Sequence, residues 1–114
     1  MRSTMIYKKW DIVLVPFPFT NFETTKKRPA LVISPDEYNS GADLVILFIT
    51  SNVSTYSQTG DYLIENWNQS GLPKPSMTRM KFATIENSIV IKKIGRLHNN
   101  DRVSVENKII EFFT

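Results

Sequence analysis

The sequence predicts a small, mainly β domain: a strongly bent antiparallel sheet or barrel carrying one helix at its C-terminus. Three observations predict it. Short β-branched and apolar runs recur along the chain, prolines and small polar residues break them, and only after Gly95 does the apolar spacing change to a helical period. The 114 residues fit one domain over 1–114 with one core and one site, the first nine residues forming a flexible extension.

Lys9 to Val15 begins with alternation and becomes β-branched, and Pro16-Phe17-Pro18 ends it, because proline cannot donate to a strand ladder. Thr20 to Lys27 is polar and reads as a loop. Pro29 to Ser34 forms a second strand, stopped by Pro35 and Asp36. Asp43 to Thr50 (DLVILFIT) is the most continuous apolar run, the pattern of a strand buried on both faces, and it leaves Thr50 where that strand emerges. Ser51 to Gly60 is a loop, Asp61 to Ile64 a short strand, and Asn66 to Pro75 another connection. Met77 to Ile85 and Ile89 to Ile94 are further strands about an Asn87-Ser88 turn. In the last segment Asn100 fits an N-cap with Asp101 in the first turn, and Val103, Ile109, Ile110 and Phe113 fit one helical face.

Apolar residues make up 41% and charged residues 22%, the composition of a globular chain. The apolar runs are far short of the roughly 20 residues that span a bilayer, and no signal-peptide pattern is present, so a cytoplasmic protein is expected. Without cysteine there are no disulfides, zinc–thiolate sites or thiol nucleophiles. One histidine, His98, and no spaced carboxylates argue against a metal site, and no cofactor is expected; His98 itself reads as a solvated loop residue. Phosphate-loop, dinucleotide and serine-hydrolase motifs are missing from the sequence.

The net charge is +3, but its distribution matters more. No Lys or Arg occurs from Pro29 to Pro73, while Lys26, Lys27 and Arg28 precede that stretch and Lys74, Arg79, Lys81, Lys92, Lys93 and Arg96 follow it. A fold that joins the two groups makes a positive surface for phosphates; a scatter of solubilising charge is the plainer alternative. Arg28 precedes a proline that holds it extended, so its fork of donors can grip a phosphate bidentately, and Thr50 offers a hydroxyl. The residues alone also allow Arg28 to pair with a surface carboxylate and Thr50 to serve strand propensity.

The order of motifs adds to this. WDIVLVPFPFT, KKRPALVIS and LFITSN, followed by SGLPKPSMTRMKFATIENSIVIKKIGRL and a terminal helix, resemble the MazF/PemK toxins of type II toxin–antitoxin systems from Trp10 to Phe113. Two departures stand out: Trp10 lies where the family usually has Gly, and Thr84-Ile85-Glu86-Asn87 replaces the frequent Thr-Ile/Leu-Asp-Lys. The resemblance implies an SH3-like barrel that works as a homodimer and cuts single-stranded RNA without a metal, with Arg28 and Thr50 as the catalytic pair.

Recognition then falls to their neighbours. Phe19 and Thr20 offer stacking, Lys26 and Lys27 phosphate contact, Ser51 and Asn52 base-edge hydrogen bonds, and Arg79 an extension of the basic surface. Trp67, distant in sequence, reads as structural or interfacial. A cognate antitoxin with a disordered, acidic tail is the implied partner and silencer. Two other functions fit the same small barrel: a gyrase-binding toxin like CcdB, acting through its C-terminal helix, and a non-catalytic module that only binds RNA or protein.

Overall fold

A computed structural model describes residues 5–17 and 26–114. Its elements are β1 (Asp11–Phe17), β2 (Lys26–Val32), the single turn α1 (Asp36–Asn39), β3 (Asp43–Thr50), β4 (Tyr62–Leu63), β5 (Met77–Glu86), β6 (Lys92–Arg96) and α2 (Asn99–Phe113). The strands form one curled antiparallel sheet in the order β4-β5-β3-β2-β1-β6. Among the described residues no helix is long and apolar enough to cross a membrane.

Strand pleating divides the core in two. Ile12, Leu31, Leu47 and Ile49 point to one face, where Ile64, Leu72, Leu97 and Val105 of α2 cover them. Val13, Val15, Ala30, Val32, Leu44 and Ile46 point to the other, together with Tyr7. β3 is therefore buried on both sides, as its unbroken apolar run predicts. Within the expected extension, Tyr7 lies in the core, the Lys8 amide donates to Asp11 Oδ2 (2.8 Å) and the Lys9 amide to Asp36 Oδ1 (2.9 Å), so these three residues are tied into the fold rather than trailing from it.

Several boundaries differ from expectation, each for a local reason. β1 runs through Pro16 because its partner β6 stops at Leu14↔Lys92, leaving no ladder on that side for proline to break. β2 starts at Lys26 rather than Pro29: residues 26–29 pair only with β1, and the rungs to β3 begin at Ala30↔Phe48. Residues 87–89 form a 3-10 turn, which delays β6 to Lys92. The cap of α2 is His98, whose Nδ1 accepts the Asn100 amide at 3.1 Å, and not Asn100.

The face of α2 is also corrected. Asp101 and Val105 are fully buried and Ile109 packs beside them, an i, i+4, i+8 row, whereas Val103 (64%), Ile110 (54%) and Phe113 (66%) are exposed. The anchor is polar: the Asp101 carboxylate accepts the Tyr62 hydroxyl and the amides of Glu65 (3.0 Å) and Asn66 (2.9 Å). An apolar count along the helix cannot find a stripe that begins with an aspartate.

Trp10 explains its own oddity. Its φ of 78° lies in the left-handed region that favours glycine, with its N–H held by Val32 O (2.7 Å) and its carbonyl by the Leu97 amide (2.8 Å). That conformation costs a non-glycine residue about 1 kcal/mol or more. Packing of the indole on the core and Lys9 Nζ 5.2 Å above the ring offset it.

Candidate functional site

Where the β2–β3 ladder ends, the strand ends part, since Pro29 has no N–H to extend it. A cleft of about 420 Å³ opens there. Leu14, Ile49 and Ile94 give it an apolar lining, and Lys27, Arg28, Ser51, Lys74 and Ser76 give it polar walls. Among the described residues no carboxylate lines it. The cleft thus collects cations from both basic groups of the sequence, one on each side of the stretch from Pro29 to Pro73 that carries none.

Each wall is stiff for a reason visible in the residues. Lys27 and Arg28 are fixed by rungs to Pro16 and Val15. Lys74 is set between Pro73 and Pro75, and its carbonyl accepts Ser76 Oγ at 2.9 Å. Behind them the Ser-Gly-Leu and Ile-Gly-Arg-Leu blocks meet backbone to backbone. A Cβ on Gly95 would lie 1.9 Å from Ser70 O, and one on Gly71, whose φ is 89°, would lie 2.2 Å from Ile94 O. Ser70 locks the meeting, its Oγ donating to Asn66 O (2.8 Å) and accepting the His98 amide (2.9 Å).

Arg28 lines the cleft, whereas Thr50, at the end of β3, is not among its lining residues. Each lies two residues beyond the last β2–β3 rung, Ala30↔Phe48, where the strand ends have parted. Both are half-buried. Thr50 Oγ1 accepts the Asn52 amide at 3.1 Å, which occupies a lone pair and leaves the hydroxyl proton to donate outward. Ser51 borders the cleft; Asn52 is exposed beside it, with its Oδ1 taken by Ser54 Oγ at 2.8 Å. Lys26 is exposed at the start of β2, and Phe19 and Thr20 lie outside the described residues.

Arg79 does not line the cleft. Its Nε and Nη2 grip Asp61 at 3.1 and 2.8 Å, and Nη2 also donates to Thr55 O at 2.9 Å. The guanidinium holds the buried Asp61 carboxyl below the ordinary carboxylate range, helped against burial by the amides of Gln58 and Ser57. Lys74 and Ser76 are the cleft residues that sequence reasoning did not single out. The signal for Lys74 was present in its paired prolines, which present a lysine at a fixed place instead of on a flexible loop.

The model of the family described as the PemK-like, MazF-like toxin of type II toxin–antitoxin systems matches residues 8–113. No curated protein matches the sequence. Among solved structures, the fold is similar to an endoribonuclease in complex with its cognate antitoxin from a Mycobacterial species, with a TM-score of 0.73 and 11% identity over 90% of this chain and 89% of that one. It is similar also to the Mycobacterium tuberculosis toxin MazF-mt6, with a TM-score of 0.71 and 17% identity over 90% and 95% of the two chains. At these identities the likeness to solved structures concerns the fold.

Proposed function

Because the chain belongs to the PemK-like, MazF-like toxin family of type II toxin–antitoxin systems, we propose that it is a sequence-specific endoribonuclease that cuts single-stranded RNA in the cytoplasm without a metal. The observation that carries this reading is the cleft at the parted ends of β2 and β3, walled by Lys27, Arg28 and Lys74 and lined, among the described residues, by no acid. Such a lining suits a phosphodiester chain, whose negative charges the lysines and arginine attract.

RNA brings its own nucleophile. Held in line, the 2′-OH forms a bond to phosphorus while the bond to the 5′ oxygen breaks; the 2′ proton is released and the departing oxygen gains one. The products are a 2′,3′-cyclic phosphate and a 5′-OH, and no activated water is needed. Arg28 stabilises the charge that grows on the non-bridging oxygens, and Thr50, its lone pair engaged by Asn52, donates its proton to one of them. Lys26, Lys27 and Lys74 hold flanking phosphates, and Ser51 and Asn52 face the adjoining bases.

The active form is a homodimer. Its silencer is an antitoxin whose acidic tail folds across the same basic walls and competes with RNA. Purified protein on a defined single-stranded RNA, with end-group analysis of the products, tests the reading. Cutting that persists in EDTA and leaves cyclic phosphate termini is expected; intact RNA, or cutting lost on chelation, would overturn it.

A further inference from the structure

The β4–β5 register, Tyr62↔Thr78 and Leu63↔Met77, sets Asp61 directly across from Arg79. Arg79 in turn pairs with Phe48, beside the irregularity that inserts extra residues into β5 between Arg79 and Phe82. Nearby, Gly60 turns with a φ of 87° against the side chain of Met80. The ion pair thus stands at the foot of the 51–60 loop, and it holds that loop on two sides. Asp61 Oδ2 accepts the amides of Ser57 (3.2 Å) and Gln58 (3.0 Å) on the returning limb, while Arg79 Nη2 donates to Thr55 O on the outgoing limb.

From Thr55 the bonds run on toward the cleft. The Thr55 amide and Oγ1 both donate to Asn52 O, at 3.2 and 2.8 Å, and the Asn52 amide donates to Thr50 Oγ1. An unbroken series of hydrogen bonds therefore joins the Arg79 guanidinium to the Thr50 hydroxyl, passing through the loop that carries Ser51 and Asn52. Exposed polar loops of this kind are ordinarily the least stable parts of a domain. Here a nearly buried, doubly bonded ion pair overrides that tendency.

We propose that Arg79 and Asp61 are a positioning pair that fixes the 51–60 loop, so that Ser51 and Asn52 select the base beside the scissile phosphate and Thr50 stays aimed at it. The role rests on the endoribonuclease reading. Arg79 touches no RNA in it: its charge is spent inside the protein, and what it supplies is the shape of a recognition loop.

The test uses the full chain as wild type, Arg79→Lys, Asp61→Asn and the double variant, each verified as folded by circular dichroism well below its midpoint. A sequencing map of cut sites is combined with steady-state rates on short RNAs that differ beside the cut. Each single variant should lose about tenfold in discrimination between preferred and alternative bases, with KM raised more than kcat is lowered. The double variant should be no worse than either single one, because both break the same device. The salt dependence of binding should keep its slope, since no phosphate contact is removed. An unchanged cut-site map and KM in folded variants would reduce the pair to a structural ion pair and overturn the proposal. Tighter RNA binding by Asp61→Asn with weaker binding by Arg79→Lys would overturn it differently, by making Arg79 a direct phosphate ligand. A wild type that leaves RNA intact removes the nuclease reading and the positioning role with it, whereas cutting by wild type with an unmoved map in the variants removes the positioning role alone.

Discussion

Two kinds of cationic region occur on this molecule, and they differ in where the negative charge is. At the foot of β5, Arg79 lies 2.8 Å from a buried aspartate, Asp61. At the β1–β6 edge, Arg96 and Lys93 converge on another, Asp11, at 2.8 and 3.3 Å. The cleft differs: Lys27, Arg28 and Lys74 gather there with hydroxyls and apolar carbons, and among the described residues no Asp or Glu lines it. An arginine that completes a fold is matched by an acid supplied by the chain itself. The cleft instead holds its cations on rigid backbone at a surface where a bound anion can meet them.

The strongest way to break this comparison is to remove the cleft's central cation. Arg28→Ala should lower cleavage by about a hundredfold or more, the usual scale for losing a group that stabilises transition-state charge, with little change in thermal midpoint. Thr50→Val, which keeps shape and loses the donor, should act in the same direction. Single-turnover rates on one RNA, paired with calorimetry, decide it; near-full activity in folded Arg28→Ala would return Arg28 to an ordinary surface role.

Reversing the wall charges is the next largest effect. Lys26→Glu with Lys27→Glu should weaken both RNA cutting and binding of an acidic antitoxin tail by about tenfold at low salt, and the difference should shrink as salt rises because exposed charges are screened over roughly 10 Å at 0.1 M. Lys108→Glu, on α2, should leave both nearly unchanged. Unaltered tail affinity in the double reversal would place inhibition on a different surface.

The acid-centred side of the comparison is sharpened by pH. Asp61 has its carboxyl held below the ordinary value of 3.8, so its pairing stabilises the fold fully above that value and is lost as pH falls through the depressed one. Asp61→Asn should therefore melt several degrees lower than wild type at neutral pH, with the gap closing only in strong acid. A gap that closes near neutrality would mean that the pair contributes nothing as an ion pair.

The smallest expected effect lies at the helix anchor. Tyr62→Phe leaves Asp101 with its two amide donors and should cost about 1 kcal/mol in urea unfolding. Burial, and then the bond to Asp101, push the Tyr62 hydroxyl from its ordinary value of 10.0 up to about 12, so its contribution is whole below the ordinary value and is lost as pH rises from there through the raised one. In an ultraviolet titration Tyr62 should ionise late, and this late step should be missing from the Phe variant.

Much of this was legible in the linear chain because it depends on neighbours in sequence. Alternation and proline breaks locate β1, β2, β3 and β5 to within a few residues, and the unbroken apolar run of Asp43–Thr50 identifies the strand buried on both faces. The order of motifs names the family, and it draws attention to Arg28 and Thr50 and to the odd position of Trp10. What the chain could not disclose depends on partners far away along it. Arg79 looked like one more basic residue until the β4–β5 register put Asp61 opposite; Asp101 looked like a dipole-matched first-turn acid until residues 62–66 came to rest on it. The apolar spacing of α2 suggested the wrong face because a helix buries whatever its anchor turns inward. Lys74 became part of the cleft only when Gly71 and Gly95 let two backbones meet without side chains between them. Local pattern decides which segments are strands and which residues carry charge. Only tertiary contact decides which charges meet a buried aspartate and which gather at a cleft, because a charge is worth most to whatever lies within a few ångströms of it, and sequence distance says little about that.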